Sequence, residues 1–94
     1  MMKVRKNMIW KIKFTQHAEK QFSKLDKNIQ KKILAYLKEM ASKSNPRSKG
    51  KALSHNMKGL WRFRFGDYRM VCQLIDKELI VLVLKVGQRK HIYH

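Results

Sequence analysis

This chain has very little negative charge. Six Asp and Glu stand against twenty-three Lys and Arg in 94 residues, a formal net charge of +17. The acids are dispersed as Glu19, Asp26, Glu39, Asp67, Asp76 and Glu78, which excludes a paired-carboxylate acid–base catalyst. A single cysteine, Cys72, excludes an intramolecular disulfide and a cysteine-based zinc site, and it fits a reducing compartment. No His, Cys and acid spacing suits a metal, and no P-loop or dinucleotide glycine pattern occurs. Neither metal nor cofactor is expected. Runs of about 18 apolar residues are missing, so no membrane span or membrane partner is expected. The basic Met1-Met2-Lys3-Val4-Arg5-Lys6-Asn7 is not followed by a hydrophobic signal core, and a cytoplasmic location is the expectation.

Positive charge is what the chain has in excess. A surplus of this size opposes compaction through self-repulsion and raises affinity for polyanions. The partners it allows are nucleic acid, an acidic protein or anionic lipid. Lipid is the weakest of these, because the lysines are spread along the chain and do not line one amphipathic helix. Hydrophobic residues make up 44% of the chain, enough for one folded domain with a single core.

Along the chain, residues 1–7 lack periodicity and read as a flexible arm before a single domain over residues 8–94. Trp10-Lys11-Ile12-Lys13-Phe14 alternates as a strand does. Thr15 is placed to cap a helix with Ala18, Phe22 and Leu25 inside. Asp26 is placed to cap a second, with Ile29, Ile33, Tyr36, Leu37 and Met40 at helical spacing. Residues 42–56 read as a loop, with Asn45-Pro46 stopping the helix, Gly50 as a flexible point, and Ala52 and Leu53 as anchors to the core. Residues 79–86 are almost continuously apolar and suit a central strand buried on both faces. Gly87 should end it, with a basic tail forming a short strand or turn. The order β-α-α-β-β-β predicts an α+β domain, a small antiparallel sheet packed against an N-terminal helical hairpin.

Chemistry concentrates in Trp61-Arg62-Phe63-Arg64-Phe65-Gly66-Asp67-Tyr68-Arg69. Aromatics and arginines alternate, and Gly66-Asp67 reads as a two-residue type II′ hairpin turn. That register sets Phe65 opposite Tyr68 and Arg64 opposite Arg69. Trp61, Phe63, Phe65, Tyr68, Met70 and Cys72 then share a buried face, with Arg62, Arg64 and Arg69 on the other. Like charges facing each other across a sheet are destabilising, so this face calls for an anionic ligand. Arg89, Lys90, His91 and Tyr93 add cations, an imidazole and a phenol at the chain end. Arginine matches phosphate oxygens bidentately and stabilises charge on a transferring phosphoryl group. Lys49 and Lys51 read as general phosphate contacts. Composition alone therefore points to a phosphodiester binder.

Three segments go further: Trp10-Lys11-Ile12-Lys13-Phe14, residues 60–69 (LWRFRFGDYR) and Val86-Gly87-Gln88-Arg89-Lys90-His91-Ile92-Tyr93. Together they resemble the RelE/ParE superfamily of bacterial and archaeal toxins, the toxic halves of type II toxin–antitoxin pairs. The likeness spans nearly the whole chain, and its specific part is a GDYR-type hairpin followed by a VGxRxxxY tail. RelE-like members cleave mRNA in the ribosomal A site by promoting attack of the 2′-hydroxyl on the adjacent phosphate. ParE-like members inhibit DNA gyrase and lack the nuclease residues. The resemblance implies Arg69, Arg89 and Tyr93 as catalytic residues of an endoribonuclease. It also matches Arg62 and Arg64 to the basic pair of the preceding strand; with them, Lys49, Lys51, Lys90 and His91, read from their charge and position, are expected to bind RNA. Some relatives use a Glu and a His as the acid–base pair; this chain lacks the Glu, and His91 stands one place away from the His. The implied partners are ribosome-bound mRNA, 16S rRNA and a cognate antitoxin with an acidic docking segment, in a complex able to bind operator DNA. The other reading is a ParE-like gyrase inhibitor, or an inactive relative that only binds its antitoxin.

Overall fold

A short strand and two capped helices set the direction of the chain. The computed structural model describes residues 9–53 and 59–92, the last two by backbone alone. Strand β1 covers Lys11–Phe14, and its alternation packs Ile12 and Phe14 against the core. Thr15 caps helix α1 (Gln16–Ser23), its hydroxyl accepting the Ala18 N–H at 3.1 Å. Asp26 caps helix α2 (Lys27–Ala41), its carboxylate accepting the Asn28 N–H at 3.2 Å. Ala18 on α1, and Ile33, Leu37, Met40 and Ala41 on α2, are buried at the spacing of one apolar stripe.

The following segment is more ordered than a loop. Helix α2 stops at Ala41 with Ser42 as its cap, before Asn45-Pro46 is reached. Asn45 instead accepts the Arg47 N–H at 3.3 Å and caps a 3-10 turn, Pro46–Lys49. Proline fits there because the first turn needs no N–H from it. Strand β2 (Lys51–Ala52) comes next. The Ala52 side chain is exposed, so it does not anchor the segment as expected. Backbone pairing does this, with Lys51 opposite Arg62 and Ala52 opposite Trp61.

Strands β3 (Leu60–Phe65), β4 (Tyr68–Ile75) and β5 (Ile80–Gln88) form an antiparallel meander. The sheet order is β1-β5-β4-β3-β2. The α+β class and the helical hairpin are as expected, with one correction: the sheet is mixed. β1 runs parallel to β5, from Lys11 opposite Ile80 to Phe14 opposite Val83. No tight turn joins these two strands, and only a tight turn would force antiparallel pairing.

Phe63, Met70, Cys72, Leu74, Val81, Val83 and Val86 form the sheet's side of the core. Burial pushes the Cys72 thiol up to about 12, which marks it as an inert core thiol. β5 is buried on this face only: Ile80, Leu82 and Leu84 on it are half-buried. The strand continues past Gly87 to Gln88, and of the two forms expected for the tail, strand or turn, it takes a helical turn, α3 (Arg89–Ile92). A bulge at Leu84 shifts the β4–β5 register between Val71 and Cys72. Beyond it the Gln21 side chain accepts the Val86 N–H at 2.9 Å, along the edge that β1 leaves uncovered.

Gly50 is required for close approach, where the sequence suggested flexibility. A Cβ there would stand 2.6 Å from Phe63 Cε1 and 2.9 Å from the Arg62 carbonyl oxygen. The backbone atom cannot retreat without moving β3. Gly50→Ala should therefore cost about 1–3 kcal/mol, as overpacking does. Chemical denaturation should show a lower midpoint with an unchanged slope.

Candidate nucleic-acid interface

The hairpin turn sets the site. Gly66 has φ +58°, and Asp67 has no positive φ, as a type II′ turn requires. The pairs are those read from the sequence, Phe65 opposite Tyr68 and Arg64 opposite Arg69. Phe63, Met70 and Cys72 are fully buried on the helix side, with Trp61, Phe65 and Tyr68 packed around them. On the opposite side lies an open groove of about 450 Å³. Its described lining is Lys49, Lys51, Arg62, Arg64, Arg69 and Arg89, all cations.

Each is delivered by a different local cause. Arg62 and Arg64 alternate out of β3, half-buried and exposed respectively. Arg69 is 9% exposed, and its Nη1 donates to the Gly66 carbonyl at 2.9 Å and the Tyr68 carbonyl at 3.1 Å. Those carbonyls fix the guanidinium and offset part of its desolvation without neutralising it. Arg89 arrives because β5 runs beside β4, with Gly87 opposite Arg69, and because its N–H donates to the Asp67 carbonyl at 2.8 Å. Lys49 and Lys51 flank Gly50 at the end of the 3-10 turn. That turn is tied down by Arg47, whose Nη2 donates to Asp76 Oδ2 at 2.7 Å and whose guanidinium lies 5.6 Å from the Trp61 ring centre. The hydrogen bond from Arg47 holds the Asp76 carboxyl below its ordinary pKa.

No acid lines the groove among the described residues. The two salt bridges between described residues, Lys43–Glu39 and Arg47–Asp76, lie outside it. Nor do the described residues include a cluster of His, Cys, Asp or Glu fit for a metal. Lys49 Nζ lies 5.8 Å from the Tyr36 ring centre, and burial, as the main cause, raises the pKa of the Tyr36 hydroxyl above its ordinary value, which leaves it protonated near neutral pH. The groove can therefore hold and stabilise negative charge, but supplies no obvious base.

The structure brings Lys49, Lys51, Arg62, Arg64, Arg69 and Arg89 together. Lys90 is exposed on α3 and is not part of this lining. The backbone of His91 lies in α3, whereas its side chain and Tyr93 lie outside the described residues. Sequence reasoning missed the support provided by Arg47, Gln21 and Gly50. Arg47 and Gly50 stood in a basic stretch that reads as solvated loop, and nothing local marks Gln21, whose partner is 65 residues away.

Comparison with known proteins identifies the family. A family model described as the ParE toxin of the type II toxin–antitoxin system, parDE, matches residues 12–93. The chain belongs to the RelE/ParE toxin superfamily. Over 84 residues it is 33% identical to a putative RelE-like toxin protein of Escherichia coli, covering 88% of this chain and 86% of that protein. Its fold is similar to the RelBE2 toxin–antitoxin complex of Mycobacterium tuberculosis, with a TM-score of 0.79 at 24% identity, over 87% of this chain and 93% of that one. A mutant of the Escherichia coli toxin RelE in the free state gives 0.70 at 26% identity, over 86% and 84% of the two chains.

In a RelE/ParE-type toxin with this groove, cations that touch phosphate should be separable by salt. Lys51→Ala should weaken binding to single-stranded RNA regardless of sequence. It should also flatten the slope of log K against log salt by about 0.7. Fluorescence anisotropy at several salt concentrations measures this, and an unchanged slope would remove Lys51 from the interface.

Proposed function

We propose that this toxin is a ribosome-dependent endoribonuclease that cleaves mRNA in the A site and so inhibits translation. The observation that carries the reading is Arg69, fixed by two turn carbonyls in an all-cation groove beside Arg89. In the reaction the 2′-oxygen forms a bond to the adjacent phosphorus and the bond to the 5′-oxygen breaks. The 2′-hydroxyl loses a proton and the departing 5′-oxygen gains one. Charge on the phosphoryl oxygens is greatest between these events, and preorganised arginines stabilise it there. Arg69 and Arg89 take this role. Arg62, Arg64, Lys49 and Lys51 hold the neighbouring phosphates, and Lys90 and His91 extend the contact along the tail. Tyr93 is assigned base stacking or proton transfer.

Arginine does not accept a proton near neutral pH, and the described groove offers no other base. Ordering of the substrate by the ribosome must then supply much of the rate. The same cations suit an antitoxin with an acidic docking segment. Solved proteins of this fold include the RelBE2 and RelBE toxin–antitoxin complexes, which supports an antitoxin partner. Binding of operator DNA by such a complex is part of the proposal. A ribosomal target would require the toxin to act in the cytoplasm.

The ParE description of the matching family favours one second reading, inhibition of DNA gyrase. Expression in cells separates the two. Endonuclease action should leave mRNA cut within reading frames and translation arrested, whereas arrested replication with intact mRNA would support the gyrase reading. On ribosome-bound message, Arg69→Ala should lower single-turnover cleavage about 10²-fold, roughly 3 kcal/mol. The fold should persist, and so should antitoxin binding, carried by the five other groove cations, since Arg69 is nearly buried. A variant that cleaves at the wild-type rate would remove Arg69 from the chemistry.

A further inference from the structure

The face of the sheet that carries the groove continues beyond it and changes character. At the groove end the register runs Arg64, Arg69, Gly87, and next to it Arg62, Val71, Lys85. One step further it reads Leu60, Gln73, Leu82, then Ile75 beside Ile80. Lys13 and Lys11 of β1 border these last two registers. Alternation along β4 confirms the side, since Met70, Cys72 and Leu74 between these residues are in the core. The face is thus cationic at one end and apolar at the other, with half-buried Leu60, Leu82, Ile75 and Ile80 as a floor.

Gln73 stands alone on that floor. It is exposed, its side-chain amide makes no hydrogen bond to another described residue, and it is the one neutral hydrogen-bonding side chain in these registers. A phosphate site calls for more cations, and a core calls for an apolar side chain. An amide in this place supplies a donor and an acceptor side by side, the pattern that reads the edge of a base. The surrounding aliphatic side chains provide a flat apolar surface for the base, as in readers of unstacked single-stranded RNA. Along β4, Gln73 lies about 14 Å from Arg69 at the rise of an extended strand, within the span of a few nucleotides.

Resting on the RNA reading above, we propose that Gln73 is a specificity-determining residue, which reads one base of the single-stranded RNA whose phosphates lie in the Arg62–Arg64–Arg69 groove. The backbone of that strand occupies the cationic end. One unstacked base crosses Val71 and settles between Leu60 and Leu82, where the Gln73 amide pairs with its edge. The arginines then determine whether RNA binds, and Gln73 determines which sequence binds best.

The test uses the full chain and a set of short oligoribonucleotides that differ in one base at each position in turn. Binding is followed by fluorescence anisotropy at several salt concentrations. The wild type should prefer one base at one position by roughly tenfold, the size of a good bidentate contact. Gln73→Leu, which keeps the volume and removes the hydrogen bonds, should abolish that preference and leave the salt slope unchanged. Gln73→Glu presents only acceptors, so its preference should move toward guanine, whose Watson–Crick edge offers adjacent donors. A preference that survives Gln73→Leu, or a wild type that binds all the oligomers equally with a steep salt dependence, would overturn the assignment. The apolar registers would then be left to a protein partner. If no oligomer bound in a salt-dependent way, the RNA reading and this inference would fall together.

Discussion

Arg64 and Arg69 face each other across an antiparallel pair, and the rest of the site depends on their being held there. Like charges in that position are destabilising by tenths of a kcal/mol. What keeps them is the other face of the same strands. Phe63, Met70 and Cys72 are fully buried, and a large apolar side chain contributes about 1.5–3 kcal/mol on burial. A slip of one residue would exchange the two faces and lose all of it. The hydrophobic alternation therefore imposes the cation pair, and Gly66, by closing a two-residue turn, allows no other register.

Segments far apart in the chain then add to the concentration of charge. The 3-10 turn brings Lys49 and Lys51 from one side, tied by Arg47 to Trp61 and Asp76. β5 brings Arg89 from the other, with Gln21 satisfying the one strand edge that β1 leaves open. Carbonyl dipoles, with no carboxylate among the described groove residues, stabilise Arg69. A guanidinium bonded in this way keeps its full charge for a ligand. An internal acid would have made the free protein more stable and the groove a weaker anion site.

Most of the fold was legible in the sequence because the signals were local. Thr15 and Asp26 sit immediately before periodic apolar residues, and Gly66-Asp67 separates two alternating runs, so caps, helices and hairpin register could all be read. The parallel pairing of β1 with β5 was not, because no turn joins them. The half-exposed outer face of β5 looked like a core strand, since Ile80, Leu82 and Leu84 are apolar there without a helix above them. Within the site, the arginines were visible through alternation on one strand pair. The supports were hidden: Gly50 matters through the Phe63 ring, and Gln21 through a single distant N–H. Both are products of tertiary approach, which short-range pattern does not record.

The central claim is that Arg64 and Arg69, facing each other on the open side of the sheet, repel one another and suit an external anion. The thermal midpoint of the wild type and of Arg64→Gln, compared at low and high salt, tests this most directly. Arg64 is exposed, so its replacement removes charge without disturbing the core. At low salt the expected result is a midpoint a few degrees higher for Arg64→Gln, from relief of like-charge repulsion. The difference should shrink as salt screens it. An Arg64→Gln protein that melts at or below the wild-type midpoint at low salt would contradict the account, because the groove would then hold an internal balance of charge.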